Sequence, residues 1–247
     1  MRLHATLCGL VLSLISPAYG DVVLYDGSSD TTPNAQGWLY LTQPSGNSGA
    51  VQSAANGFTT LDTTAAQTDH AGYFSTLHPL MPTLNAATGY TVWLDVRVVR
   101  ESHATNDRAG LSLIVLGSNH RGIELGFWEN QVWAQSDNPL FTHAESALID
   151  TTTSIRRYGV SVLGDSYSLY LAGQPILTGV LRDYSSFGTP YTSTNFIFLG
   201  DDTSSAQTNA QIARVAVNIA AIPEPASLWL LTLGLPVLCF TKKGASK

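Results

Sequence analysis

The sequence predicts an all-β fold, an antiparallel β-sandwich or jelly roll. No stretch between Asp21 and Ile222 keeps an apolar period of 3.6 residues, so amphipathic helices are not expected. Short alternating runs rich in β-branched residues recur instead, separated by Gly, Asn, Asp and Pro at intervals of about 8–12 residues. About a dozen short strands with this spacing are typical of two packed antiparallel sheets.

Three segments give the clearest strand signals. Residues 90–99 predict a long strand whose even positions form one apolar face, because successive strand residues point to opposite faces. Residues 122–128 alternate around Ile123, Leu125 and Phe127, and Glu129-Asn130 turns the chain into a second strand at 131–135. Residues 158–162 and 167–171 predict another hairpin, and residues 195–200 and 212–219 predict the last strands.

The N-terminus predicts a secretory signal peptide over residues 1–20. Met1-Arg2 is a short positive start, residues 5–15 are mainly apolar, and small residues precede the expected signal peptidase cut between Gly20 and Asp21. The predicted domain therefore covers residues 21–222. Of the two cysteines, Cys8 falls in this leader and Cys239 near the C-terminus, so the domain has no disulfide.

The last segment, residues 223–247, has three parts in a fixed order. Pro223-Glu224-Pro225 interrupts regular structure, residues 226–240 carry no charge, and Lys242-Lys243 follow directly. A helix over residues 226–240 is roughly 22 Å long, shorter than a bilayer core of about 30 Å, and crosses a membrane only with local thinning and snorkelling of the flanking lysines.

This order resembles the PEP-CTERM sorting tail of exported bacterial proteins. The resemblance implies a protein that is sent outward, held transiently by its C-terminal transmembrane helix and cut near Pro223 by an exosortase-type protease. An ordinary single-span anchor that is never cut remains the other interpretation. The whole chain also resembles the bacterial surface proteins grouped by their choice of anchor, which are found at the cell surface or outside the cell.

The domain itself resembles the concanavalin/laminin-G-like sandwiches. Three runs carry this resemblance: Tyr-Ser-Leu-Tyr-Leu-Ala-Gly-Gln-Pro-Ile at 167–176, Phe-Ile-Phe-Leu-Gly-Asp-Asp-Thr at 196–203 and Ile-Ala-Arg-Val-Ala-Val at 212–217. It implies that the last strand returns beside the first.

Charge excludes one class of partner. All three lysines lie in the tail, so residues 21–222 hold eight arginines against seventeen Asp and Glu, a formal charge of −9. Phosphate backbones would be repelled by such a surface, and we expect no nucleic-acid partner.

No catalytic motif is evident, and we expect the protein not to be an enzyme. Glu124 and Glu129 are five apart and thus opposite in strand parity, so they do not form a carboxylate pair of the glucanase type. His103 and Asp107 share a loop, but no nucleophile can be named beside them. A hydrolase with an unrecognised site stays the third interpretation of the chain.

Two candidate ligand sites remain. Asp201-Asp202 follow a strand, where laminin-G-like domains often bind Ca²⁺ through oxygen ligands, although Asp-Asp-Thr is also common turn chemistry; no other cofactor is expected. Trp128 and Trp133 flank a hairpin turn, and exposed Trp rings stack on sugars. We therefore expect a non-catalytic adhesion or structural protein of an extracellular polysaccharide matrix, or alternatively a lectin-like module with a calcium-supported loop.

Overall fold

A computed structural model describes residues 20–219, and these residues form an antiparallel sandwich of two sheets. The predicted fold class is confirmed. The predicted leader, residues 1–20, lies almost wholly outside the described range, and the predicted tail, residues 223–247, lies entirely outside it. Within residues 20–219, no helix is long and apolar enough to cross a membrane.

Fifteen strands make up the two sheets, and their bounds are β1 Val22–Asp26, β2 Leu39–Gln43, β3 Val51–Ala55, β4 Phe58–Asp62, β5 His70–Phe74, β6 Tyr90–His103, β7 Leu111–Leu116, β8 Gly122–Phe127, β9 Gln131–Asp137, β10 Leu140–Leu148, β11 Arg156–Leu163, β12 Ser166–Leu171, β13 Gln174–Val180, β14 Phe196–Asp201 and β15 Ala206–Ile219. Three short 3₁₀ helices lie at Gly27–Ser29, Pro33–Gln36 and Ser185–Phe187.

The first sheet has the order β13-β12-β11-β6-β15-β4-β3, and β1 pairs with β15. The last strand therefore lies antiparallel beside the first, as the resemblance implied. Its longest pairing joins β15 to β6, from Ala206↔His103 to Ile219↔Tyr90. On β6, Val92, Leu94, Val96 and Val98 are all buried in the core between the sheets, which confirms the predicted apolar face.

The second sheet has the order β10-β9-β8-β7-β14-β5-β2. The β8–β9 hairpin forms where the alternation predicted it. Leu113, Leu125 and Leu199 point into the core between the sheets. The alternate residues on these strands consequently point to the outer face of the sheet, which carries the site described next.

Strands β3, β5 and β10 were not predicted. β10 is an edge strand whose pairing with β9 is interrupted by two register shifts, and its residues are mostly half-buried, so no regular alternation marks it in the sequence.

Candidate functional site

A cleft of about 660 Å³ crosses the outer face of the second sheet. Its floor is low because small residues face each other there: Gly200 on β14 pairs with Gly72 on β5 and with Ser112 on β7. A Cβ at Gly72 would lie 2.3 Å from the ring of Phe198, so this position admits no side chain without displacing that ring. The row of small residues leaves room above the sheet for a ligand.

An aromatic wall borders the floor. Phe74 and Phe198 meet edge to face with ring centroids 4.9 Å apart. The chain between β13 and β14, residues 181–195 (the covering segment), contributes Phe187 and Tyr191, whose rings are 5.7 Å apart. Phe187 is 59% exposed, although a large apolar ring is usually buried. An exposed ring at the edge of a cleft can stack on the apolar face of a ligand.

The covering segment is fixed by a second, smaller apolar cluster on the outer face. Tyr184 and Tyr191 are buried there against side chains of β7 and β14. The Tyr184 hydroxyl donates to the main-chain oxygen of Gln135 at 2.7 Å, and Arg182 pairs with Gly122 as an isolated bridge. These contacts hold Tyr191 at the cleft.

Glu124 is the central carboxyl of the cleft. Its neighbours Ile123 and Leu125 point into the core, so Glu124 points to the outer face, where it is only 2% exposed. The Tyr191 hydroxyl donates to Glu124 Oε2 at 2.5 Å. Burial raises the pKa of the Glu124 carboxyl well above its usual range, and the nearby Asp202 carboxylate raises this pKa further. Its surroundings therefore favour the protonated form of Glu124.

Asp202 directly follows β14 and lines the same cleft. The residue as a whole is exposed, but protein atoms surround its carboxyl group and partly desolvate it. This desolvation raises the pKa of Asp202 to about 6, and the opposing effects of a Ser112 hydrogen bond, the Arg108 charge and a Tyr191 hydrogen bond keep it from rising further. The surroundings of Asp202 thus support its charged form more than those of Glu124 do.

Gln135 adds an unusual acceptor to the lining. Its side chain is 3% exposed and contacts the Glu124 carboxyl, and its Nε2 donates to the Asp107 oxygen at 3.2 Å. Gln135 Oε1 is buried and accepts no hydrogen bond from any of residues 20–219. A buried acceptor without a donor costs free energy, so a donor supplied by a ligand would be favourable here.

The predicted calcium residues are not arranged as a shared metal site. Asp201 is buried, and its Oδ2 accepts from Thr63 Oγ1 at 2.6 Å, whereas Asp202 contacts Ser112 and Tyr191. Burial also raises the pKa of Asp201 to about 9, so this carboxyl is neutral and a poor ligand for a hard cation. The part of the chain that the structure describes contains no group of three or more His, Cys, Asp or Glu suited to a metal ion.

The predicted sugar-stacking tryptophans are packed against other rings. Trp133 is fully buried beneath His143, with ring centroids 4.3 Å apart, so its proposed role as a platform is wrong. Trp128 is half-buried, its ring is stacked on His103 at 4.1 Å, and its Nε1 donates to the Arg108 oxygen. One face of Trp128 is therefore already covered.

His103 and Asp107, which share a loop, each bind a different partner and do not form a base-and-orienter pair. His103 Nδ1 contacts Glu101 at 2.9 Å, and Asp107 Oδ1 accepts from the His143 main chain. Glu129 accepts from the Glu101 main chain and does not pair with Glu124, in agreement with the parity argument.

Sequence reasoning missed the association of Glu124, Tyr191 and Asp202. These residues come from β8, the covering segment and the end of β14, so no local spacing connects them. The one available signal was Glu124 itself, a carboxylic acid within an otherwise uncharged strand.

No protein-family model matches the chain, and no curated protein matches its sequence. Solved structures share its fold. A carbohydrate esterase from the Shiga toxin-encoding bacteriophage phi24B superposes with a TM-score of 0.57 at 11% identity, covering 82% of this chain and 100% of the other. A Bacillus subtilis protein of unknown function with a galectin-like fold gives 0.51 at 12% identity, covering 82% and 98%.

These likenesses show the fold alone, because their sequence identity is so low. They nevertheless overturn the expectation that the protein is not an enzyme, since a carbohydrate esterase has the same architecture. An endo-1,3-β-glucanase from Streptomyces sioyaensis matches at 13% identity with a TM-score of 0.44, covering 83% and 98%.

Proposed function

We propose that the protein binds carbohydrate in the cleft of the second sheet. The observation that carries this proposal is the composition of the cleft, in which the exposed ring of Phe187 and the polar groups of Glu124, Asp202 and Gln135 line one depression. A sugar ring has apolar C–H faces and hydroxyl edges, so it needs an aromatic surface together with hydrogen-bond acceptors. The galectin-like and carbohydrate-esterase neighbours support this assignment.

The charge of the cleft favours neutral over acidic sugars. Glu124, Asp201 and Asp202 line it, and Arg108 is the only Lys or Arg among the residues of the described range, 20–219, that line it. A uronate would bring its carboxylate close to the charged Asp202, which costs free energy in a partly desolvated site. Hydroxyl groups instead can donate to Asp202 and to Gln135 Oε1.

Binding of neutral hexasaccharides tests the proposal. We expect the purified protein to bind at least one of laminarihexaose, cellohexaose and mannohexaose in calorimetric titrations, and to bind hexamannuronate more weakly. Phe187→Ala removes the exposed ring and should weaken the binding about tenfold or more. The control is Leu163→Ala, which removes a 67% exposed apolar side chain on β11 of the first sheet.

Unchanged affinity in Phe187→Ala would show that the ligand does not use the aromatic wall. Binding of hexamannuronate alone would contradict the assignment to neutral sugars. If none of the four oligosaccharides binds, the proposed function fails.

We also propose that the protein acts outside the cell, delivered by its leader and by the tail at residues 223–247. The motif Pro223-Glu224-Pro225 with Lys242-Lys243 supports this location. Outside the cell, extracellular polysaccharide would be the ligand available to the cleft. In the native cells, Glu224→Ala should leave a larger protein in the membrane fraction on an immunoblot, because the protease would no longer cut. A protein of unchanged size and location would contradict the sorting role.

A further inference from the structure

The Tyr191 hydroxyl lies between two carboxyl groups. It donates to Glu124 Oε2 at 2.5 Å, and it is also within hydrogen-bonding contact of the Asp202 carboxyl. A hydroxyl group has one proton to donate, so it cannot satisfy two carboxylates at once. Two like charges this close to one hydroxyl are costly in a partly desolvated cleft, and the pair therefore shares a proton.

The surroundings decide which carboxyl keeps that proton. Glu124 is 2% exposed, and no cationic side chain donates a hydrogen bond to it among the bonds of the described chain. Asp202 is an exposed residue whose carboxyl is partly desolvated, and the Ser112 hydroxyl and the Arg108 charge favour its ionised form. Water and a hydroxyl donor stabilise the charged form, so Asp202 is the anion and Glu124 the acid.

Glycoside hydrolases use such a pair of carboxyl groups, one protonated and one charged, beside the bound sugar. Resting on the proposed carbohydrate binding, we infer that the cleft hydrolyses a glycosidic bond of its ligand, with Glu124 as the proton donor and Asp202 as the nucleophile. The two carboxyls come from different strands: Glu124 lies on β8, and Asp202 follows β14. Strand β7 lies between these two strands and pairs with both. Gln135 Oε1, buried and without a donor, is an independent sign that the site accepts a hydrogen bond from a ligand or from Glu124.

The reaction is balanced by water alone. An Asp202 oxygen bonds to the anomeric carbon while the glycosidic C–O bond breaks, and the Glu124 proton passes to the departing oxygen. The ionised Glu124 then removes a proton from water, whose oxygen bonds to the anomeric carbon and displaces Asp202. Both carboxyl groups return to their starting states, and the configuration at the anomeric carbon is retained. Retaining enzymes hold these groups about 5–5.5 Å apart, and the contact that both carboxyls make with the Tyr191 hydroxyl favours this spacing over the wider one of inverting enzymes.

The groups that face Glu124 predict how the rate depends on pH. They are Asp202 after β14, Arg108 before β7, and Tyr184 and Tyr191 of the covering segment. Asp202 must be charged and Glu124 protonated, so the rate should rise as Asp202 ionises near pH 6 and fall where Glu124 ionises at higher pH. Tyr191→Phe removes a hydrogen bond that favours ionised Glu124, so it should move the upper limb to still higher pH.

Hydrolysis and binding are measured on the same four hexasaccharides, by mass spectrometry of the products in H₂¹⁸O and by calorimetry. We expect one ¹⁸O per new reducing end, and a rate loss of about 10²–10⁴-fold in Glu124→Gln with affinity kept within about tenfold. Asp202→Ala should lose hydrolysis similarly and regain it with azide as a glycosyl azide, which a merely structural defect would not do. Asp165→Asn, at the exposed turn between β11 and β12, is the acidic control and should hydrolyse normally.

Binding without hydrolysis by the unchanged protein would overturn this inference and leave the proposed function intact. Equal rates in Glu124→Gln and the unchanged protein would also overturn it, as would inversion at the anomeric carbon. If Glu124→Gln fails to fold, the Tyr191→Phe pH profile decides: an upper limb that does not move excludes Glu124 as the acid. Absence of binding to all four sugars is failure of the proposed function, and this inference then fails with it.

Discussion

The outer faces of the two sheets differ in what covers them. On the first sheet, β6 alternates between buried and half-buried residues from Tyr90 to Val98, and Arg157 pairs with Asp95 on the open face. On the second sheet, every residue of β7, β8 and β14 is buried. The covering segment accounts for the difference, since Tyr184 and Tyr191 pack on the outer face of β7 and β14. A sheet exposed on one face shows alternation, while a sheet covered on both faces shows a nearly continuous apolar run.

The largest expected effect at a fixed pH is the loss of an apolar side chain from the covered outer face. Phe196 on β14 is 1% exposed and belongs to the outer cluster with Tyr184 and Tyr191. Phe196→Ala should lower the free energy of unfolding by about 3–5 kcal/mol in urea titrations, because it leaves a cavity. Thr91→Ala on the outer face of the first sheet should change it by less than about 0.5 kcal/mol. A loss below about 1 kcal/mol for Phe196→Ala would show that the covering segment does not form a second core.

The next effect belongs to a buried acid of the second sheet. Burial raises the pKa of Asp201 to about 9, above the value of about 4 for an unfolded chain. The folded protein then keeps a proton that the unfolded chain releases, so the free energy of unfolding falls as pH rises from about 4 to 9, by at most about 1.4 kcal/mol per pH unit. Asp201→Asn is neutral at every pH and should flatten this part of the curve in urea unfolding at pH 5, 7 and 8.5. Parallel curves for the two proteins would contradict a raised pKa.

The smallest effect belongs to the open face of the first sheet. Arg157 donates to both Asp95 oxygens at 2.7 Å, but its side chain is 51% exposed. Solvent screens such pairs, so Asp95→Asn should cost less than about 1 kcal/mol, and the cost should shrink in 1 M salt. A cost above 2 kcal/mol would mean that this face is shielded from water after all.

The burial of the two sheets was also predictable from the sequence to different extents. The pattern Val92, Leu94, Val96, Val98 predicted both the strand and its buried face, because alternation is local and depends only on the pleat. Strand β7, in contrast, is buried on both sides, and this burial depends on residues 181–195, which have no regular pattern. Phe187 and Tyr191 accordingly gave no sign that they line a cleft.

The resemblance to the concanavalin/laminin-G-like sandwiches implied the pairing of the last strand with the first. The sequence by itself determined the all-β class, the main hairpins and the acidic, thiol-free character of the domain. These properties follow from strand periodicity, turn residues and composition, which are read over a few residues at a time. Only the tertiary structure decided which carboxyls meet. Glu124 is brought to Tyr191 and Asp202 by the order of strands in the second sheet and by the path of the covering segment, and long-range pairing of this kind leaves no mark in local sequence spacing. It likewise decided that Trp133 is buried and that Asp201 faces Thr63, since neighbours from distant segments set burial and partners.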